Sequence, residues 1–237
     1  MRNLWKLTLL ALFVFTTTSY ATENFIGKII SPIPDNIKKL MIGHSWHHGC
    51  PVGLNELVYL QLPYWGFDDK PHMGEMIVHQ IVANEVVDIF QKLYVAHFPI
   101  EQMILPEELL NNVKFDSDNS SAFFCEKDGQ SPGKYSTHAF GLAIDINVLY
   151  NPAYDAGGRI YPKAGAKYLN RKLDAKGMIK VGDIVTTTFY EHGWTWGAYF
   201  NEGADYQHFQ KMIGSKYVVN NVSHRDKNEN PKIPSYY

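Results

Sequence analysis

The chain has 237 residues, 45% apolar and 19% charged, which is enough to bury a core in one domain or at most two and excludes a disordered chain. A net charge of −2 gives no global attraction for nucleic acid, and two cysteines exclude a disulfide-dense miniature scaffold and a four-cysteine metal site. Ten histidines stand beside those two cysteines, and composition alone leaves open whether they hold metal, act as bases or fill a core.

Residues 1–21 have the layout of a secretory signal: Arg2 and Lys6, the apolar run Leu7 to Phe15, then Ser19-Tyr20-Ala21 as a cleavage site after Ala21. The run is shorter than the ~20 residues of a membrane-spanning helix, and no second run follows. Export to a periplasmic or secreted location, without a membrane span in the mature chain, is the expectation. In an oxidising compartment Cys50 and Cys125 are expected to form one disulfide, with two buried free thiols as the alternative.

Residues 22–75 are rich in Pro and aromatics (Pro32, Pro34, Pro51, Pro63, Tyr64, Trp65) and read as an irregular N-terminal arm with one short helix near Leu54 to Leu60. The arm is expected to pack on a main domain at 76–212, followed by a polar tail at 213–237. Gly74 to His79 reads as a strand. Ala83, Val86, Val87, Phe90, Tyr94 and His97 recur at helical spacing, and Pro99 ends that pattern. Residues 111–135 are polar and loop-like. In Leu142-Ala143-Ile144-Asp145-Ile146-Asn147 a period of two marks a strand with Asp145 and Asn147 on its polar face. A short helix is expected near Lys167 to Arg171. Asp183 is placed to cap a helix running to His192, with Gly193 as its stop, and 205–212 reads as a final strand. The fold class expected is α+β: a small antiparallel sheet with packed helices.

His138 precedes Asp145 by seven residues, and Asp145 sits beside Ile144 and Ile146, where a buried carboxylate is costly unless a cation or strong donors compensate it. Asp205-Tyr206-Gln207-His208 offers a second histidine on a short apolar-flanked strand. Two imidazoles and one carboxylate with an open fourth position is the arrangement of a catalytic zinc site. Spacing alone fits equally a core histidine and a hydrogen-bonded aspartate. Asp205 and His208 would point to opposite faces of an ideal strand, so Asp205 needs a turn or bulge to share the site as general base.

Ser136-x-His138-x-x-Gly141-x-Ala143-x-Asp145, with Trp194-x-Trp196-Gly197 and Asp205-x-x-His208-Phe209, resembles the zinc D-alanyl-D-alanine peptidase family, most closely its D-alanyl-D-alanine carboxypeptidase-like group. Gly49-Cys50-Pro51-Val52, Leu62 to Phe67, Asn119 to Phe123, Asp145-Ile146-Asn147 and Asn151-Pro152 extend the likeness over roughly residues 45–212. The resemblance implies one zinc ion held by His138, Asp145 and His208, Asp205 as general base, and a zinc site carried on the sheet. It also implies Ser136 with Trp194 or Trp196 shaping a cleft for peptidoglycan peptides.

The chain departs from that group after Cys125, where members commonly carry an arginine and this chain has Glu126-Lys127. Lys127 is the expected substitute for holding an oxyanion or a substrate carboxylate, although lysine lacks the planar fork of arginine. The same departure is the feature that favours a non-catalytic peptide-binding module. His44, His47, His48, His72, His79, His192 and His224 have no carboxylate–histidine pattern around them and read as surface or core residues, and His97 as part of the apolar face of its helix.

Overall fold

The computed structural model describes residues 25–111, 118–127, 134–201 and 203–214. The expected signal at 1–21, nearly all of the expected tail, Arg225 and His224 lie outside them.

The fold opens with strand β1 (Lys28–Ile30), helix α1 (Asp35–Met41), and the strands β2 (Leu57–Gly66) and β3 (Pro71–His79). β2 and β3 pair antiparallel from Leu57↔His79 to Trp65↔Pro71, and β1 lies on the other edge of β2. This corrects the reading of 22–75 as an irregular arm with a helix near Leu54 to Leu60, and the boundary expected at 75/76 falls inside β3. The cause is burial: β2 is covered along nearly its whole length, so it lacks the alternation of a strand with one wet face. Its proline is tolerated because Pro63 lies opposite Met73, past the end of β1 and short of Trp65, where the parallel strand β4 (Pro99–Ile100) begins to pair.

Helix α2 (Ala83–Val95) buries Ala83, Val86, Ile89, Phe90, Leu93 and Tyr94 against β2. It ends when Phe98 N–H reaches back to Leu93 and His97 N–H to Tyr94, a Schellman closure with His97 at φ 53°. His97 therefore stands exposed on the Trp65 ring rather than on the helix's apolar face, as the spacing had placed it. Helix α3 (Pro106–Asn111) follows.

The second half contains β5 (Ala143–Asp145), β6 (Ala153–Asp155), β7 (Ile160–Tyr161), helix α4 (Ile184–Glu191), β8 (Thr195–Trp196), β9 (Gly203–Asp205) and β10 (His208–Gln210). They form two three-stranded antiparallel sheets, β5-β10-β8 and β7-β6-β9. The strand expected over 205–212 is thus two strands of different sheets, separated by a bend at Tyr206-Gln207. The helix expected near Lys167 to Arg171 is a 3-10 turn at Lys163–Leu169. α4 is capped as its sequence indicates: Asp183 Oδ1 accepts the Thr186 N–H at 2.8 Å, a cap typically worth about 1 kcal/mol, and Gly193 at φ 71° ends it. Small antiparallel sheets with few helices are consistent with the α+β class.

Polar side chains tie the long 146–182 connection to this core. Asn151 donates to the Ile146, Asn147 and Gly177 carbonyls and accepts from Ile179 N–H and Arg171. Arg171 also donates to Tyr150, Tyr168 and Ile179 carbonyls and covers the Tyr206 ring. Cys50 and Cys125 are joined by a disulfide with Cα atoms 5.9 Å apart, and Cys125 N–H donates to Ser45.

Candidate metal centre

The site is assembled on β5 and β10, whose register sets His208 directly opposite Asp145. Directly opposed residues of an antiparallel pair project to the same face. His138 comes from the 3-10 turn Thr137–Phe140, which Ser136 caps by accepting the His138 N–H at 3.3 Å and Gly141 closes at φ 67°. A Cβ on Gly141 would lie 2.5 Å from the His79 backbone nitrogen, so the turn can seat against β3 only with glycine there.

Three donor atoms converge. His138 Nε2 and His208 Nδ1 are 3.0 Å apart, and Asp145 Oδ1 is 3.3 Å from the first and 3.2 Å from the second. A tetrahedral ion with bonds of ~2.0–2.1 Å sets its ligands about 3.3 Å apart, so this triangle fits zinc. The outer ring nitrogens are engaged as well: His138 Nδ1 meets the Ala122 carbonyl, and His208 Nε2 lies 3.1 Å from Gln210 Oε1. Such contacts orient ligand histidines.

Asp205 ends β9 and reaches the same place because the chain bends at Tyr206-Gln207 before β10. Its Oδ1 is buried without a hydrogen-bond partner among the described residues. Burial, opposed by the His208 and His138 charges and reinforced by that of Asp145, pushes the Asp205 carboxyl up to about 6. Burial also works against ionisation of Asp145, but the charge and hydrogen bond of His138, with those of His208, outweigh it and hold that carboxyl well below the usual range. Two carboxylates in one site thus have opposite proton affinities, the arrangement expected of a ligand beside a base.

A cavity of about 280 Å³ opens over His138 and Asp145, lined among others by Ser121, Phe124, Glu126, Ser136 and Val148. Ser136 lines this cavity. Lys127 does not: its ammonium lies 3.5 Å over the Tyr135 ring, and it is Glu126 that faces the cavity. Trp194 and Trp196 are also corrected, being 2% and 3% exposed in the core, with their indole N–H groups donating to Glu85 and to the Tyr206 carbonyl. Neither Arg159, paired with Asp155, nor Arg171 lines the cavity. His47 lies near Cys50 and Cys125, but the disulfide occupies both sulfurs. The sequence assigned no role to Gln210 beside His208, nor to Phe124 and Glu126 as cavity lining. The period-two spacing of Gln210 from His208 was a usable signal for the first.

Residues 129–211 match the model of the D-alanyl-D-alanine carboxypeptidase family. No curated protein and no solved structure matches the chain. The matched segment contains His138, Asp145, Asp205 and His208.

Proposed function

We propose that the protein is an exported zinc metallopeptidase that hydrolyses an amide bond in peptidoglycan stem peptides, acting as a D-alanyl-D-alanine carboxypeptidase. The observation that carries this reading is the donor triangle of 3.0–3.3 Å beside the buried Asp205 Oδ1, which has no hydrogen-bond partner among the described residues. Export is supported by the signal-like layout of residues 1–21.

His138 Nε2, Asp145 Oδ1 and His208 Nδ1 would hold the ion. A zinc ion held there would lower the pKa of a bound water towards ~7 and polarise the scissile carbonyl. Asp205, buried beside these three residues, would take up the proton of the attacking water and return it to the leaving amine. Phe124 and Val148 give the cavity apolar walls, while Ser121, Ser136 and Glu126 offer polar contacts to a peptide.

Digestion of purified muropeptides with the mature chain, with and without chelator, tests the reading by mass spectrometry. Chelator-sensitive loss of one terminal alanine is expected. Loss of a dipeptide or internal cleavage would move the assignment to dipeptidase or L-alanyl-D-glutamate endopeptidase, and no mass change with zinc bound would overturn hydrolysis.

A further inference from the structure

We propose that Gln210 is a positioning residue for the metal centre, its side-chain oxygen fixing which ring nitrogen His208 presents to the ion. This inference rests on the zinc reading above. Gln210 Oε1 receives Thr137 Oγ1 at 2.9 Å and lies 3.1 Å from His208 Nε2. All three residues are buried, at 4%, 4% and 6% exposure for Gln210, Thr137 and His208.

The chemistry of an amide oxygen makes this contact directional. It accepts and cannot donate, so a His208 ring bonded to it carries its proton on Nε2. Once the ring gives up its second proton, Nδ1 carries the free lone pair, and Nδ1 is the atom that faces His138 Nε2 and Asp145 Oδ1. The oxygen has two lone pairs, and Thr137 takes one of them, which anchors the amide from the element that carries His138. Among the described residues the amide nitrogen donates to the Met212 sulfur at 3.7 Å, a weak acceptor, so the oxygen side defines the orientation. One side chain thereby couples the turn bearing one ligand to the strand bearing another. The outer nitrogen of His138 is held by a backbone carbonyl instead, so the Gln210 contact is the one a substitution can remove.

Zinc affinity of the full chain, read by competition with a chromophoric chelator, tests this without relying on turnover. Gln210→Leu is expected to weaken zinc by about 10–100-fold, the usual cost of losing such an outer contact. Gln210→Glu, which retains an acceptor oxygen, is expected to bind at close to the wild-type affinity, and the cobalt-loaded Gln210→Leu protein to show an altered ligand-field spectrum. Thr137→Val keeps Gln210 and its packing while removing the anchor, and is expected to weaken zinc measurably even if Gln210→Leu fails to fold. Zinc binding by Gln210→Leu equal to wild type, or an equal loss in Gln210→Glu, would overturn the inference. A wild-type chain that takes up no zinc would overturn the metal reading itself.

Discussion

Gly197 is packed against Asp205 so closely that a Cβ added to it would lie 2.7 Å from the Asp205 carbonyl oxygen and 2.9 Å from the Asp205 Cβ. The same added atom would lie 3.1 Å from the His208 Cβ. The glycine is therefore what lets the bend before β10 bring Asp205, the proposed base, close to His208, a proposed ligand. Gly197→Ala is expected to displace Asp205 and cost about 10²-fold in hydrolysis, the scale of a misplacement near 1 Å, while circular dichroism stays native. Wild-type turnover in a folded Gly197→Ala protein would remove this role.

Zinc uptake is expected to release protons. Burial disfavours a charged His208, but the hydrogen bond and charge of Asp145, followed by Asp205 and Gln210, outweigh it and push the imidazole up to about 9. The metal-free ring therefore holds both protons at neutral pH, whereas a ligand must give up the one on Nδ1. Affinity should climb with pH towards 9, and calorimetry in buffers of different ionisation enthalpy should show about one proton or more released per zinc near pH 7. A heat of binding independent of the buffer would contradict this.

Asp118 makes stability depend on pH. Burial raises its carboxyl, the Leu149 N–H bond lowers it and the Glu101 charge raises it again, leaving it at about 7 against an ordinary 3.8. Because the folded value lies above the unfolded one, the folded state binds the proton more tightly. Its contribution is full below pH 3.8 and is lost as pH rises to about 7. Asp118→Asn, which keeps an oxygen for Leu149, should gain on wild type over that window by on the order of 3 kcal/mol in urea unfolding. Parallel pH profiles for the two proteins would refute the assignment.

The disulfide closes a 75-residue separation, for which chain entropy gives a stabilisation of about 4 kcal/mol and measured bridges typically 2–4. Replacing Cys50 and Cys125 together by serine should lower the unfolding free energy by about 2–4 kcal/mol, and reductant should then have no further effect on the variant. Unchanged midpoints in urea would show that the bridge adds little.

Much of the site was legible because its chemistry sits on strong local signals. The period-two pattern at Leu142–Asn147 found β5, and Asp183 and Gly193 bracketed α4. Leu57–Gly66 was not legible, since a strand buried on both faces shows no alternation and its Pro63 suggested irregular chain. Trp194 and Trp196 misled for a related reason: Gly193 and Gly197 beside them suit a surface loop, but Gly193 supplies a positive φ and Gly197 a close approach to Asp205, and only tertiary contacts reveal the core around the indoles. Glu126 and Lys127 are neighbours in sequence, and which of them faces the cavity depends on the Lys127↔Tyr135 pairing, a contact no local pattern encodes.

Asp145 is held from two directions: it exchanges backbone hydrogen bonds with Ser121, while Phe123, two residues further on, donates to Ile77 in β3. His79 of that strand in turn donates to the Gly141 carbonyl, within the ligand-bearing turn. The family-matched stretch 129–211 therefore borrows its scaffolding from chain that precedes it. Excised alone, it would lose the rung that aligns Asp145 and the wall against which Gly141 closes. The matched segment is not a portable module, and grafting it or trimming the first eighty residues should dismantle the triangle of His138, Asp145 and His208 without touching any of the three.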